Sequence, residues 1–131
     1  MAATSVLLAE DHRRVADAVG EYVADAFDLV GTVRDGGALL EAAKTLSPDV
    51  VVVDLAMPGT DGLTALKQIR NELPHIRVIL LTNYDDPMLV RHALDTGAAG
   101  FVLKVYASTE LVHAIHTVVD GGIFVSSAIA V

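Results

Sequence analysis

Five polar side chains punctuate the apolar stretches of this chain at places where they could meet. Glu10 and Asp11 follow Val6-Leu7-Leu8-Ala9, Asp54 ends the run from Val50 to Val53, Thr82 ends the run from Val78 to Leu81, and Lys104 follows Gly100-Phe101-Val102-Leu103. Three carboxylates brought together repel one another, and each is harder to ionise unless a cation neutralises the group. An oxygen-only donor set of this kind suits Mg²⁺, which takes one or two protein carboxylates and keeps several waters. A carboxylate beside such a cation, an ammonium and a hydroxyl is equipped to attack a phosphoryl group. The cation and Lys104 would offset charge on the transferring oxygens, and Thr82 could donate a hydrogen bond to one of them.

For these residues to converge, the elements that carry them must lie side by side. The four runs named above and a fifth, Leu29-Val30-Gly31-Thr32-Val33, are mostly continuous rather than alternating. Continuous Val/Ile/Leu runs belong to a parallel sheet covered on both faces. Between them lie stripes of helical period: Val15, Val19, Tyr22, Val23 and Ala26; Leu39, Leu40 and Ala43; Leu63, Leu66, Ile69 and Leu73; Met88, Val90 and Leu94; and Leu111, Ile115, Val118 and Val119. Pro48 and Pro74 close the second and third helices, and Pro87 opens the fourth, which Gly97 stops. Ser108 is the expected N-cap of the fifth, with Gly121-Gly122 at its end. The pattern is strand-helix repeated five times, with right-handed crossovers. In open sheets of this type the ligand rim lies beyond the carboxyl ends of the strands, where the five polar residues fall.

Composition narrows the function classes. The chain has 131 residues, 53% hydrophobic and 20% charged, which excludes intrinsic disorder. Cysteine is absent, so disulfides, thiolate metal sites and cysteine nucleophiles are excluded. Seventeen acidic residues against nine basic give a net charge of −8, unfavourable for binding nucleic acid directly. No signal peptide or membrane-length apolar run is evident, so a cytoplasmic location without membrane contact is expected. The expected organisation is one domain over residues 1–122, with residues 123–131 a tail or the start of a linker.

The motifs Leu8-Ala9-Glu10-Asp11-His12, Asp54-Leu55-Ala56-Met57-Pro58-Gly59-Thr60-Asp61-Gly62, Leu81-Thr82 and Gly97-Ala98-Ala99-Gly100-Phe101-Val102-Leu103-Lys104, in this order and at strand ends, resemble a response-regulator receiver domain. Glu10-Asp11-His12-Arg13 and the ending around Gly121-Gly122 are most similar to the NarL/FixJ (LuxR-type) subgroup. The resemblance implies a flavodoxin-like, doubly wound, five-stranded parallel sheet of order 2-1-3-4-5. It implies that Asp54 accepts a phosphoryl group from a sensor histidine kinase. Asp11 would be a direct Mg²⁺ ligand, Glu10 its partner through water, and the Ala56 carbonyl a further ligand beside Asp54. Thr82 and Lys104 would contact the phosphoryl group. Phe101 would be the aromatic that turns inward as Thr82 moves. The face formed by the fourth helix, fifth strand and fifth helix would change, with a homodimer as one reader. The output would be transcriptional, through a helix-turn-helix domain not contained in these residues. The domain would dephosphorylate itself rather than turn over as an enzyme. Two positions depart from the usual pattern: Val105 stands where many receivers have proline, and Asn83 where a small residue is usual. The alternative is a stand-alone or degenerate receiver acting as a protein-interaction module. A flavodoxin would need a hydroxyl-rich phosphate loop where Glu10-Asp11 stand, and an aspartyl-phosphate phosphatase would need an acid at Ala56.

Overall fold

The computed structural model describes residues 3–129. Its elements are β1 (Ser5–Ala9), α1 (Arg13–Ala26), β2 (Asp28–Val33), α2 (Gly36–Leu46), β3 (Val50–Asp54), α3 (Gly62–Glu72), β4 (Arg77–Thr82), α4 (Pro87–Thr96), β5 (Gly100–Leu103), a 3-10 turn (Lys104–Tyr106), α5 (Ala107–Val119) and β6 (Phe124–Val125). All strand pairings are parallel, in the order β2-β1-β3-β4-β5-β6. The expected five-stranded order is present, and a sixth short strand extends it.

Alternation along the buried strands sorts side chains onto two faces. Leu7, Val51, Val53, Val78, Leu80 and Phe101 pack with Leu39 of α2, Leu66 and Ile69 of α3, and Val90 of α4. Leu8, Val50, Val52, Ile79, Leu81 and Val102 pack with Val19 and Val23 of α1 and Leu111, Ile115 and Val118 of α5. Both faces are covered, which is why β3 consists of four valines without a polar interruption before Asp54. β2 lies at the sheet edge and is only half-buried.

Helix ends largely follow their local chemistry. Asp35, Asp61 and Asp86 cap α2, α3 and α4 through side-chain bonds to Ala38, Thr64 and Met88 N–H groups. Gly97 ends α4 at φ +114°, a left-handed position that favours glycine. Ser108 is not the cap of α5: the helix begins at Ala107, with Tyr106 in the capping position and no side-chain cap bond.

The segment expected to be a tail is in part built into the sheet. Phe124 and Val125 pair with Gly100 and Phe101, Ser126 is buried, and Ile129 joins the core on the α2–α4 side. The apolar residues Phe124, Val125 and Ile129 have uncovered β5 edge to bury against, which polar linker residues would not need. Residues 130–131 of that segment lie outside the described residues.

Candidate functional site

Glu10, Asp11, Asp54, Thr82 and Lys104 all lie at the carboxyl ends of β1, β3, β4 and β5. By alternation, Glu10 and Asp54 continue the face of Leu8 and Val52, whereas Thr82 continues that of Leu80. Lys104 follows the last residue of β5 and reaches back across the rim. Its Nζ donates to Asp54 Oδ2 at 2.9 Å and to Glu10 Oε1 at 3.2 Å. The Ala56 N–H donates to Asp54 Oδ1 at 3.1 Å, so each oxygen of the Asp54 carboxylate has a donor. Asp54 is 3% exposed, and Glu10 is fully buried.

The electrostatics are unbalanced. One ammonium faces two buried carboxylates, and Asp11 stands exposed beside them. Carboxylate oxygens of Glu10, Asp11 and Asp54 lie within 4.8 Å of one another. Glu10 Oε2 is buried with no hydrogen-bond partner. Burial first, then hydrogen bonding to Asp54 and its charge, push the Glu10 carboxyl from an ordinary 4.5 to about 7. Burial alone would lower the Lys104 ammonium, but its hydrogen bond to Asp54 and the charges of Glu10 and Asp54 outweigh it and hold the group above its ordinary value. An orphaned buried carboxylate oxygen among three acids is what a divalent cation would satisfy, and the donor set is all oxygen, as Mg²⁺ requires.

The Glu10 shift sets a pH dependence. Its pKa is raised on folding, so its stabilising contribution is complete below pH 4.5 and is lost as pH rises through about 7. Chemical denaturation in a chelator at pH 5 and pH 8 is expected to show a larger loss of stability on alkalinisation in the wild type than in Glu10→Gln. Equal losses in the two proteins would exclude this role for Glu10.

The remaining expected residues are placed as follows. Thr82 is buried, and its Oγ1 accepts the Tyr84 N–H at 3.0 Å. Asn83 is exposed. Phe101 is fully buried among Leu80, Val90, Ala93 and Ala98. The inward turn expected of it would start from an outward ring, whereas this ring already lies inside. No peptide bond among the described residues is cis, and Val105, 77% exposed, lies in the 3-10 turn. Tyr84 before α4, Met88 in its first turn, and Val105 and Tyr106 in the 3-10 turn are each exposed. His12 takes the capping position of α1, its N–H donating to Glu10 Oε1 at 3.3 Å, and neither Glu10 nor Asp11 caps that helix. His113 and His116 pack edgewise on Phe124 and tilted on Phe27. Among the described residues the three acids are the one cluster able to hold a metal.

A cavity of about 510 Å³ lies between α1 and β2, bordered by Asp17, Gly20, Glu21 and Arg34, away from this rim. No helix among the described residues is long and apolar enough to cross a membrane.

Comparison with known proteins bears on this geometry. The family model described as "Response regulator receiver domain" matches residues 6–116. The transcriptional regulatory protein LnrK of Bacillus subtilis is 38% identical over 98 residues, which are 75% of this chain and 44% of that protein. A probable transcriptional regulatory protein NarL of Mycobacterium tuberculosis is 39% identical over 113 residues, 84% of this chain and 52% of that protein. The chain thus spans about half the length of the curated relatives it matches. Among solved structures, the receiver domain of M. tuberculosis NarL superposes with a TM-score of 0.87 at 34% identity, covering 92% of this chain and 99% of that one. The isolated receiver domain of RcsB from Salmonella enterica, determined with the phosphomimetic BeF3-, superposes at 0.88 with 30% identity, covering 95% and 94%.

Proposed function

The chain belongs to the response regulator receiver domain family, and on that premise we propose that Asp54 accepts a phosphoryl group from a sensor histidine kinase. The observation that carries this reading is Lys104 holding Asp54 and Glu10 together while Glu10 Oε2 stays unpartnered. Glu10, Asp11 and Asp54, with the Ala56 carbonyl, would hold Mg²⁺, whose role when bound is to neutralise their charge and that of the incoming phosphoryl oxygens.

The chain's own residues set up the transfer. Ala56 N–H and Lys104 fix the plane of the Asp54 carboxylate. An Asp54 oxygen forms the new O–P bond while the bond from phosphorus to the donor's leaving atom breaks. The leaving atom departs with the electron pair and takes a proton from solvent. Lys104, charged at neutral pH, donates to a phosphoryl oxygen. The Thr82 hydroxyl can do the same by releasing Tyr84 N–H. That release would move the segment after β4 and so reshape the α4–β5–α5 face, where Met88 is 80% exposed. The phosphoryl group on Asp54 would carry a charge of roughly −1.5 to −2 in place of the single negative charge of the carboxylate. The longer relatives are named as transcriptional regulators, which supports a transcriptional output through a DNA-binding domain elsewhere in the full protein. Self-association of two copies would align two such domains.

Incubation with acetyl phosphate and Mg²⁺ is expected to add one phosphoryl group by intact mass. Chelation should prevent the addition, and Asp54→Asn should show none. An adduct that persists in Asp54→Asn would move the acceptor elsewhere. No adduct in the wild type would leave the chain an interaction module.

A further inference from the structure

Lys104 is the pivot of the site, yet it stands at the start of a short exposed turn rather than inside an element. Its neighbour Val105 and the following Tyr106 are exposed, and neither anchors it. β4 pairs with one edge of β5 up to Leu103, and the anchor on the other edge comes from the segment after α5. β6 pairs with β5 only at Gly100 and Phe101. Past that point the Ser126 N–H still donates to the Phe101 carbonyl at 2.9 Å, but β6 offers no further registered backbone to Leu103, whose other edge faces Thr82 of β4. The Ser126 side chain takes over: its Oγ accepts the Leu103 N–H at 2.9 Å. The same hydroxyl donates to Glu110 Oε1 at 2.6 Å. Glu110 Oε2 also accepts from the Ser127 N–H and hydroxyl, at 3.3 and 3.2 Å.

Leu103 directly precedes the turn that carries Lys104, and Glu110 lies in the first turn of α5 that follows it. Ser126, 1% exposed, is bonded to both. One hydroxyl therefore closes a brace around residues 103–110. The carboxylate acceptor makes that hydroxyl bond charge-assisted and orients the Ser126 oxygen lone pair toward Leu103. Ile129, buried in the core, holds the bracing segment in place from its far side.

We propose that Ser126 and Glu110 are a positioning pair for the phosphoacceptor reaction, holding the β5 end so that Lys104 Nζ meets Asp54. The inference rests on the reading of Asp54 as the phosphoryl acceptor. Neither residue touches the reacting atoms; both act through Lys104. The segment that leaves the domain after α5 is thereby tied to the reactive lysine, and strain on one is felt at the other.

The test is the rate of acetyl-phosphate-dependent phosphorylation of the full chain with Mg²⁺, across donor concentrations. Ser126→Ala is expected to lower the limiting rate about tenfold, because small misplacements of a reacting group are costly. The half-saturating donor concentration and the Mg²⁺ affinity from NMR titration should stay as in the wild type. Placed on Lys104→Ala, the same substitution should cost nothing further, since residues acting through one another are not additive. Glu110→Ala, on the partly exposed start of α5, tests the brace even where Ser126→Ala does not fold, and its rate should fall in the same direction. A folded Ser126→Ala or Glu110→Ala with the wild-type rate overturns the inference, as does a full further loss in the Lys104→Ala background. If those variants and the wild type alike take up no phosphoryl group, the phosphoacceptor reading falls and this inference with it. A normally phosphorylated wild type beside unaffected variants overturns the positioning role alone.

Discussion

Lys104→Ala is expected to slow phosphoryl uptake at Asp54 by about 10²–10³-fold, the usual cost of losing one preorganised donor to developing charge. The ammonium is the only cationic side chain in contact with the Asp54 carboxylate among the described residues. Its loss also removes the one cation that, among the described residues, pairs with buried Glu10. Breaking a buried pair by deleting one partner destabilises by roughly 3–5 kcal/mol when the remaining charge has no alternative. Here it has one. Without Lys104 the Glu10 carboxyl loses the two influences that lower its pKa, so it rises beyond about 7 and holds a proton instead. The stability cost in a chelator should therefore be smaller at pH 5, where wild-type Glu10 is already largely protonated and Asp54 alone loses its cation, than at pH 8. Denaturation of the wild type and Lys104→Ala at the two pH values, beside phosphorylation rates, checks both parts. A variant with undiminished rate would show that Lys104 is structural only.

Gly62→Ala is expected to destabilise the fold by about 2–3 kcal/mol and to impair phosphorylation as well. Residue 62 opens α3, and its N–H closes the loop after Asp54 by donating to the Leu55 carbonyl at 2.8 Å. A Cβ there would stand 2.7 Å from the Asp54 carbonyl oxygen and 2.7 Å from Leu55 Cα. Both are backbone atoms, so no rotamer change relieves the clash, and overpacking of this kind costs roughly 1–3 kcal/mol or more. The relief available is to push α3 from the end of β3, which carries the acceptor. Gly20→Ala is the control. Its added Cβ would meet Leu29 at an ordinary 3.5 Å, and alanine is favoured inside a helix. Gly20→Ala should keep both stability and rate. A Gly62→Ala protein matching it in midpoint and rate would overturn the close-approach argument.

The sequence alone carried much of the architecture and the chemistry. Four runs of Val, Leu and Ile without alternation could be satisfied only by strands covered on both faces, and β1, β3, β4 and β5 are buried in that way. Gly97 marks the end of α4 because it takes a left-handed turn there, whereas the aspartate caps of α2, α3 and α4 emerge only in the structure, where each meets an orphan backbone N–H. The five polar residues at strand ends were legible because parallel crossovers return every carboxyl end to the same rim. What depends on contacts between distant segments was not legible. Ser126 and Leu103 are 23 residues apart, and nothing local marks that serine as buried or bonded to β5. The short apolar Phe124-Val125 read as tail because only an uncovered β5 edge makes a strand of it. The N-terminus of α5 eluded local capping rules because Tyr106 inherits its geometry from the 3-10 turn rather than from its own side chain. Phe101 was read as the aromatic that turns inward, and its buried placement in one core cluster with Leu80, Val90 and Ala93 is decided by the packing of α4 against the sheet. Residue type and period determine which groups face inward and which reach the rim. Only the packed sheet decides which of them touch, because the partners there come from elements tens of residues apart.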